Sequence, residues 1–407
     1  MIGCAEIKTI AAQLAERSGF EPPSVYDLRI DSDRLFEGGD PAMLHHTQHQ
    51  SLLRAYQARY VLLPSASPSG SIVERLRRHY DPDQMASLEK FRSRLEAGLI
   101  GPIEISARSA AAGLDAITYS SRLLPELRAK AETPFITYLR NCCGREHHYR
   151  NFLIQSSADL LAEASASALG VVGEFGAAQS ALFRILIDEF GYGVHDRKHS
   201  VLYRATMRDF GLCDEYNAYW PLFDTSSLVL HNVIHYLFQN PRNFFMQIGF
   251  LLYAETAYQR STQDHFRYLR EFHPHVDARY FGEHAHIDQH HARMMADEVV
   301  APLMATYGEE AGHEIVVGAE LTRLVFDATG SQLLARSSAF GDAVMAGHAA
   351  YAAPDQKSLG HCITPAMAAA LGDSCGRIQV GGLGVLEIGS AFAHFPKGAI
   401  GRLIGTD

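Results

Sequence analysis

No apolar run in the sequence approaches the roughly 18–20 residues that a membrane-spanning helix requires. The longest candidate, Phe244 to Tyr253, is far too short and leads straight into Glu255. Positive charge is not in excess either. The 36 Lys and Arg stand against 46 Asp and Glu, a formal net charge of -10, which argues against a nucleic-acid backbone as the main partner. The opening MIGCAEIKTIAAQLAERSGF lacks a basic start, an apolar stretch and a cleavage site, so no secretion signal is expected. Cysteines are few: Cys4, Cys142, Cys143, Cys213, Cys362 and Cys375, with no CxxC pair. Free thiols in a reducing cytoplasm are the simplest expectation. The one tryptophan, Trp220, is expected to pack or to line a substrate cavity rather than to stack on bases. At 47% hydrophobic and 20% charged residues the composition is that of a globular enzyme, and wholesale disorder is excluded.

Histidine is abundant, with 21 in 407 residues, so position must select the few that carry chemistry. Residues 1–132 read as a helical accessory region, interrupted by a Pro/Gly-punctuated stretch (Glu21 to Pro41) and the loop Pro64 to Gly70. Within it His45, His46 and His49 have no carboxylate at a matching helical position and are not expected to bind metal. Residues 133–335 read as consecutive helices: Tyr149 to Leu169, Ala177 to Phe190, His199 to Phe210, Thr225 to Phe238, Arg242 to Phe272, Asp277 to Tyr307 and Gly308 to Thr329. That pattern predicts an all-α bundle in which facing helices can hold a cofactor. Residues 336–407 read as a linker, around Ala352 to Gly360, and a small β-rich C-terminal appendage from Arg377, glycine-rich and β-branched.

The strongest local signal is FGEHAHIDQHHARMMADEVV. His284, Asp288 and His291 stand at i, i+4 and i+7, one face of a helix over two turns. Three such side chains in line are costly to bury unless something binds them. His286 and His290 fall elsewhere on the wheel and should face solvent. In ILIDEFGYGVHDRKHS, Glu189 and His199 are ten residues apart, and the Gly191-Tyr192-Gly193 break lets the chain turn so that both return to one point. Glu255, within FMQIGFLLYAETAYQ, should be buried and therefore needs a cation. Glu163, in DLLAEASASAL, has the same character. Carboxylates and imidazoles without thiolate suit iron or manganese rather than structural zinc, and seven ligands suit two metals bridged by carboxylate.

In order and spacing, Glu189, His199, Glu255, His284, Asp288 and His291 resemble the haem-oxygenase-like di-iron oxidases and oxygenases, over about half of the chain. Asp188-Glu189-Phe190-Gly191 stands where family members often carry Asp/Glu-Glu-Tyr-Gly. Glu163 matches the extra upstream glutamate of the N-oxygenating branch, which includes nitrosourea- and nitro-forming enzymes. The resemblance implies a haem-oxygenase-like helical bundle and two Fe ions (Fe2+/Fe3+) reacting with O2 through a peroxo-di-iron(III) intermediate. It further implies N-oxygenation of a small-molecule amine or amino-acid substrate in natural-product biosynthesis, with an external electron donor or reductase. A homodimer formed through the accessory region is expected, with neither nucleic acid nor membrane as partner.

Rival readings remain. A di-iron oxidase acting on carbon would cleave an amino acid or oxidatively decarboxylate a fatty acid. A ferritin-like site would use Glu283-x-x-His286 and Glu310-x-x-His313. A non-catalytic metal-binding or helical interaction protein is the third. His231 and His235, with no glutamate between them, read as a polar helix face. Gly381, Gly382 and Gly384 make no phosphate-binding fingerprint. His361, Cys362, Cys375 and His394 have no recognised metal spacing. No Arg or Lys pattern near the ligand helices identifies a carboxylate or guanidine clamp; Arg242 and Arg293 are no more than candidates.

Overall fold

The computed structural model describes residues 41–61, 63, 71–142, 145–219, 223–351, 377–379 and 385–387. Their contacts cluster into two compact units. The first holds the described residues within 41–102, 217–232 and 342–387. Its helices are α1 (Pro41–Gln57), α2 (Ile72–His79) and α3 (Pro82–Leu99). Leu52, Leu53 and Tyr56 of α1 are fully buried. The Tyr56 hydroxyl donates to Glu96 at 2.8 Å, and Arg92 pairs with the same carboxylate at 3.4 Å. His46 and His49 are buried here, His46 beside the Thr225 hydroxyl at 2.8 Å and His49 receiving Asn232 on its carbonyl at 2.9 Å.

The second unit, Ile103–Tyr216 with Val233–Gly341, is the helical bundle. It is built from α4 (Gly101–Ala111), α5 (Ala116–Ala129), α6 (Pro134–Asn141), α7 (Arg145–Leu160) and the short α8 (Ser165–Leu169). There follow α9 (Ala177–Glu189), α10 (His199–Asp209), α11 (Thr225–Phe238, begun in the first unit), α12 (Phe244–Phe272), α13 (Arg279–Met294) and α14 (Ala301–Tyr351). A π-helical stretch, Met295–Val300, links α13 to α14. Most expected helices are present within a few residues, and the break inside α14 falls at Gly308, φ 74°, where the sequence placed a junction. The exceptions are Tyr149 to Leu169, which is two helices parted at residues 161–164, and Gly308 to Thr329, whose helix continues to Tyr351 into the region expected as linker and appendage. Residues 103–132, expected in the accessory region, cluster with the bundle. The reason is polar as well as apolar: Arg108 grips Glu314 at 2.6 Å, and the Tyr119 hydroxyl donates to Glu320 at 2.9 Å.

The 29-residue α12 runs through the core, with most of residues 246–256 buried. It crosses α14 where neither chain carries a side chain. A Cβ on Gly249 would lie 1.8 Å from the Ile315 carbonyl oxygen, and one on Gly318 1.9 Å from that of Met246. Mutual glycines thus let two backbones touch and fix the position of Glu255, under two turns beyond Gly249.

In the C-terminal region, β1 (Arg377–Gln379) and β2 (Val385–Glu387) pair antiparallel, Ile378 opposite Leu386. The rest of the expected appendage, its linker, the N-terminal 40 residues and Trp220 lie outside the described residues. His231 and His235 are buried rather than a polar face, 4% and 5% exposed. Cys142 is free, whereas Cys213 is disulfide-bonded, so the expectation of free thiols fails there. Spacing along a chain does not reveal which thiols meet in space. Among the described residues no helix is long and apolar enough to cross a membrane.

Candidate metal centre

Four elements and one helix break carry the candidate ligands. On α13, His284, Asp288 and His291 lie on the inner face, 4%, 0% and 0% exposed, while Glu283, His286 and His290 are exposed as the helical wheel requires. On α9, Glu189 is the last helical residue. Gly191, Tyr192 and Gly193 follow at φ 62°, 55° and 77°, three left-handed residues in succession. A Cβ on Gly191 would stand 2.4 Å from the Arg197 carbonyl carbon, so the loop closes this tightly only with glycine there. It delivers His199, first residue of α10, with Nδ1 2.7 Å from Glu189 Oε2. Glu163 sits in the break between α7 and α8, immediately before Ala164, a left-handed alanine at φ 64°. Glu255 comes from the middle of α12.

Two groups of potential ligand atoms converge, each within 4.8 Å of one another. One is Glu163, Glu189, His199 and His284, and the other is Glu189, Asp288 and His291. Glu189 belongs to both. Glu255 falls outside these groups but places Oε2 3.1 Å from His291 Nδ1, beside the second. Every residue expected at the site is therefore in this neighbourhood. The paired Glu-x-x-His motifs of a ferritin-like site are not: Glu283, His286, Glu310 and His313 are all exposed.

The cluster is short of positive charge. Both Asp288 oxygens and Glu163 Oε2 are buried without a hydrogen-bond partner, an arrangement expensive unless a cation occupies the space between them. The buried imidazoles and carboxylates shift one another strongly. Burial alone would lower His291, but Glu255 and Asp188 push it up to about 10. Burial would likewise lower His284, yet Glu163 and Asp288 hold it well above its usual value. Burial would raise Glu189, and the His199 and His284 imidazoles keep it well below the carboxylate range. Asp288 is raised well above that range by burial, against the pull of His284. The donor set, hard oxygens with imidazole and two groups joined at one carboxylate, fits a pair of iron ions.

Sequence reasoning missed two supporting residues. Tyr280 donates its hydroxyl to Glu163 Oε1 at 2.7 Å, and its carbonyl faces His284 Nδ1 at 2.9 Å. The signal was present, since Tyr280 continues the 284-288-291 stripe one turn earlier. Asp188, noted only as a flanking residue, reaches His291 Nε2 at 2.9 Å.

Residues 150–325 match the profile of a family described as iron-containing redox enzymes, of haem-oxygenase type. The chain is also similar to a nitrosourea synthase from Streptomyces achromogenes subsp. streptozoticus, 36% identical over 281 residues. The match covers 68% of this chain and spans 59% of the length of that relative.

Proposed function

From the match of residues 150–325 to the iron-containing redox enzyme family and the likeness to a nitrosourea synthase, we propose that the chain is a non-haem di-iron N-oxygenase acting on an amine or amino-acid-derived substrate. The observation that carries this reading is the sharing of Glu189 by two groups of buried carboxylate and imidazole ligands. Glu163, His199 and His284 would hold one iron, Asp288, His291 and Glu255 the other, and Glu189, which belongs to both groups, would serve both. When bound, such an iron pair activates dioxygen for transfer to substrate. The protein's part is to hold the ions by side chains fixed on four helices and a turn, and to keep water away by burial.

Nitrogen as the atom oxidised is supported by the relative's name, nitrosourea synthase, and by the presence of Glu163 within the first group. A cavity of about 340 Å3 in the bundle is lined by Tyr253, Tyr258 and Phe326. The Tyr258 phenol is raised well above its usual pKa by burial and by the charges of Asp159, Glu163, Glu255 and Asp288. Lys130, Arg260 and Asp327 also line this cavity, a mixture of charges suited to an amino-acid derivative. Turnover needs electrons from an external donor.

The test is anaerobic ferrous loading followed by oxygen and a panel of amines and amino acids, read by mass spectrometry. Two irons per chain and an oxygen-dependent N-oxygenated product are expected. Saturation at one iron would end the di-iron reading. A product shortened by carbon-carbon cleavage or loss of CO2 would replace nitrogen chemistry with carbon chemistry.

A further inference from the structure

The three imidazoles of the centre are not held alike. His284 turns Nε2 to the cluster, and its Nδ1 faces a main-chain acceptor, the Tyr280 carbonyl, at 2.9 Å. His291 is turned the other way. Its Nδ1 faces the cluster, 3.1 Å from Glu255 Oε2 and 3.8 Å from Asp288 Oδ1. Its Nε2 lies 2.9 Å from Asp188 Oδ2, a side-chain carboxylate. His291 is fully buried, and Asp188 only 13% exposed.

Asp188 and Glu189 are consecutive in the last turn of α9, so their side chains diverge by about 100° around the helix axis. One strand of backbone therefore reaches the His291 ring from behind while offering Glu189 to the cluster in front. A ring nitrogen can present a lone pair to a metal only if its proton sits on the other nitrogen. A carboxylate behind the ring fixes that choice, orients the ring and makes it a stronger donor.

We propose that Asp188 is a positioning residue, accepting the Nε2 proton of His291 and so fixing His291 as an Nδ1 ligand of the second metal position. It does not touch the ions or the substrate; it acts through His291. The inference rests on the two-metal reading above and assigns to one position an anchor the other lacks. Replacing the carboxylate should loosen the Glu189/Asp288/His291 position and spare the Glu163/His199/His284 one.

Anaerobic titration of the metal-free full chain with Co2+, read by chelator competition and by visible d–d absorption, separates the possibilities. Wild-type protein should take up two equivalents. Asp188→Asn, whose amide can turn its NH2 toward Nε2 and drive the ring proton onto Nδ1, should bind one of them about 10–100-fold more weakly. The absorption of that position should change, while the other position keeps its wild-type affinity and spectrum. Asp188→Glu, which restores the charge, should recover part of the affinity. Two equivalents bound by Asp188→Asn with wild-type affinity and spectrum would overturn the inference. So would equal weakening of both positions, the mark of a merely structural residue. Wild-type protein binding fewer than two equivalents would instead remove the two-metal reading itself, and this inference with it.

Discussion

At the scale of single residues the centre is defined by which ligand serves which position, and substitutions should separate along that line. Glu189→Gln removes the one charge common to both groups, so iron should be lost from both positions together, by about 3–5 kcal/mol of binding free energy. Glu163→Ala touches only the first group and should leave one equivalent bound, with the fold intact by circular dichroism. Iron counting distinguishes the two; a Glu189→Gln protein retaining one tight iron would refute the sharing. Ala164 belongs to the same argument. Its left-handed backbone, φ 64°, is one that alanine adopts at a cost of about 1–2 kcal/mol. Ala164→Gly should therefore be tolerated with little change in melting temperature, whereas Ala164→Val should lower stability by more than about 1 kcal/mol and weaken iron binding through Glu163. Equal stability of the glycine and valine variants would show that the turn carries no such strain.

Helices and the turns between them set the geometry, and here the crossing of α12 with α14 is the most exposed to test. Gly249→Ala or Gly318→Ala drives a methyl group into the facing backbone, where no side chain can swing aside. Losses of about 1–3 kcal/mol or more are expected on chemical denaturation, with iron loading impaired because α12 carries Glu255. A second element-scale prediction concerns His265 on α12, stacked on Phe152 and Phe281 with ring centroids 4.4 and 5.1 Å away. Burial lowers its pKa from 6.5 to about 3. The unfolded chain therefore binds the extra proton between these values. The stability this group contributes is complete above about pH 6.5 and drains away as pH falls toward 3. Between pH 7 and pH 5 His265 should account for about 2 kcal/mol of lost stability, and His265→Phe should show a correspondingly flatter acid limb. The sequence made most of these elements legible. His284, Asp288 and His291 declare themselves because a helical period of 3.6 is written directly into their spacing, and the Gly191-Tyr192-Gly193 turn because only such residues permit it. The break at 161–164 was not legible, since Leu-Leu-Ala-Glu-Ala is good helical sequence. Its left-handed turn depends on Glu163 meeting Tyr280 and His284, more than a hundred residues away. Asp188 was opaque for the same reason: its meaning lies in the distance to α13, and no local pattern encodes that.

Over the whole molecule, net charge is -10, and four carboxylates of that excess, Glu163, Glu189, Glu255 and Asp288, are gathered at one place inside the bundle. Two divalent ions would balance them. Metal uptake should then stabilise the entire fold by mass action, about 2.7 kcal/mol at a free concentration one hundred times the dissociation constant, seen as a rise in melting temperature with Fe2+ or Mn2+. An unchanged melting temperature at saturating iron would mean that the acids are balanced in some other way. The shared glutamate also governs how partly filled molecules behave. On the proposed two-metal reading, an ion entering first would orient Glu189 and still leave two of the four carboxylate charges unbalanced, so its successor would find a shared ligand already aimed and a field that remains attractive. Occupancy should accordingly favour even numbers. When iron is scarce the population should divide into empty chains and doubly filled ones, and native mass spectrometry at half saturation should find few with a single ion. Limited iron would then make fewer working molecules rather than a larger number of half-built ones.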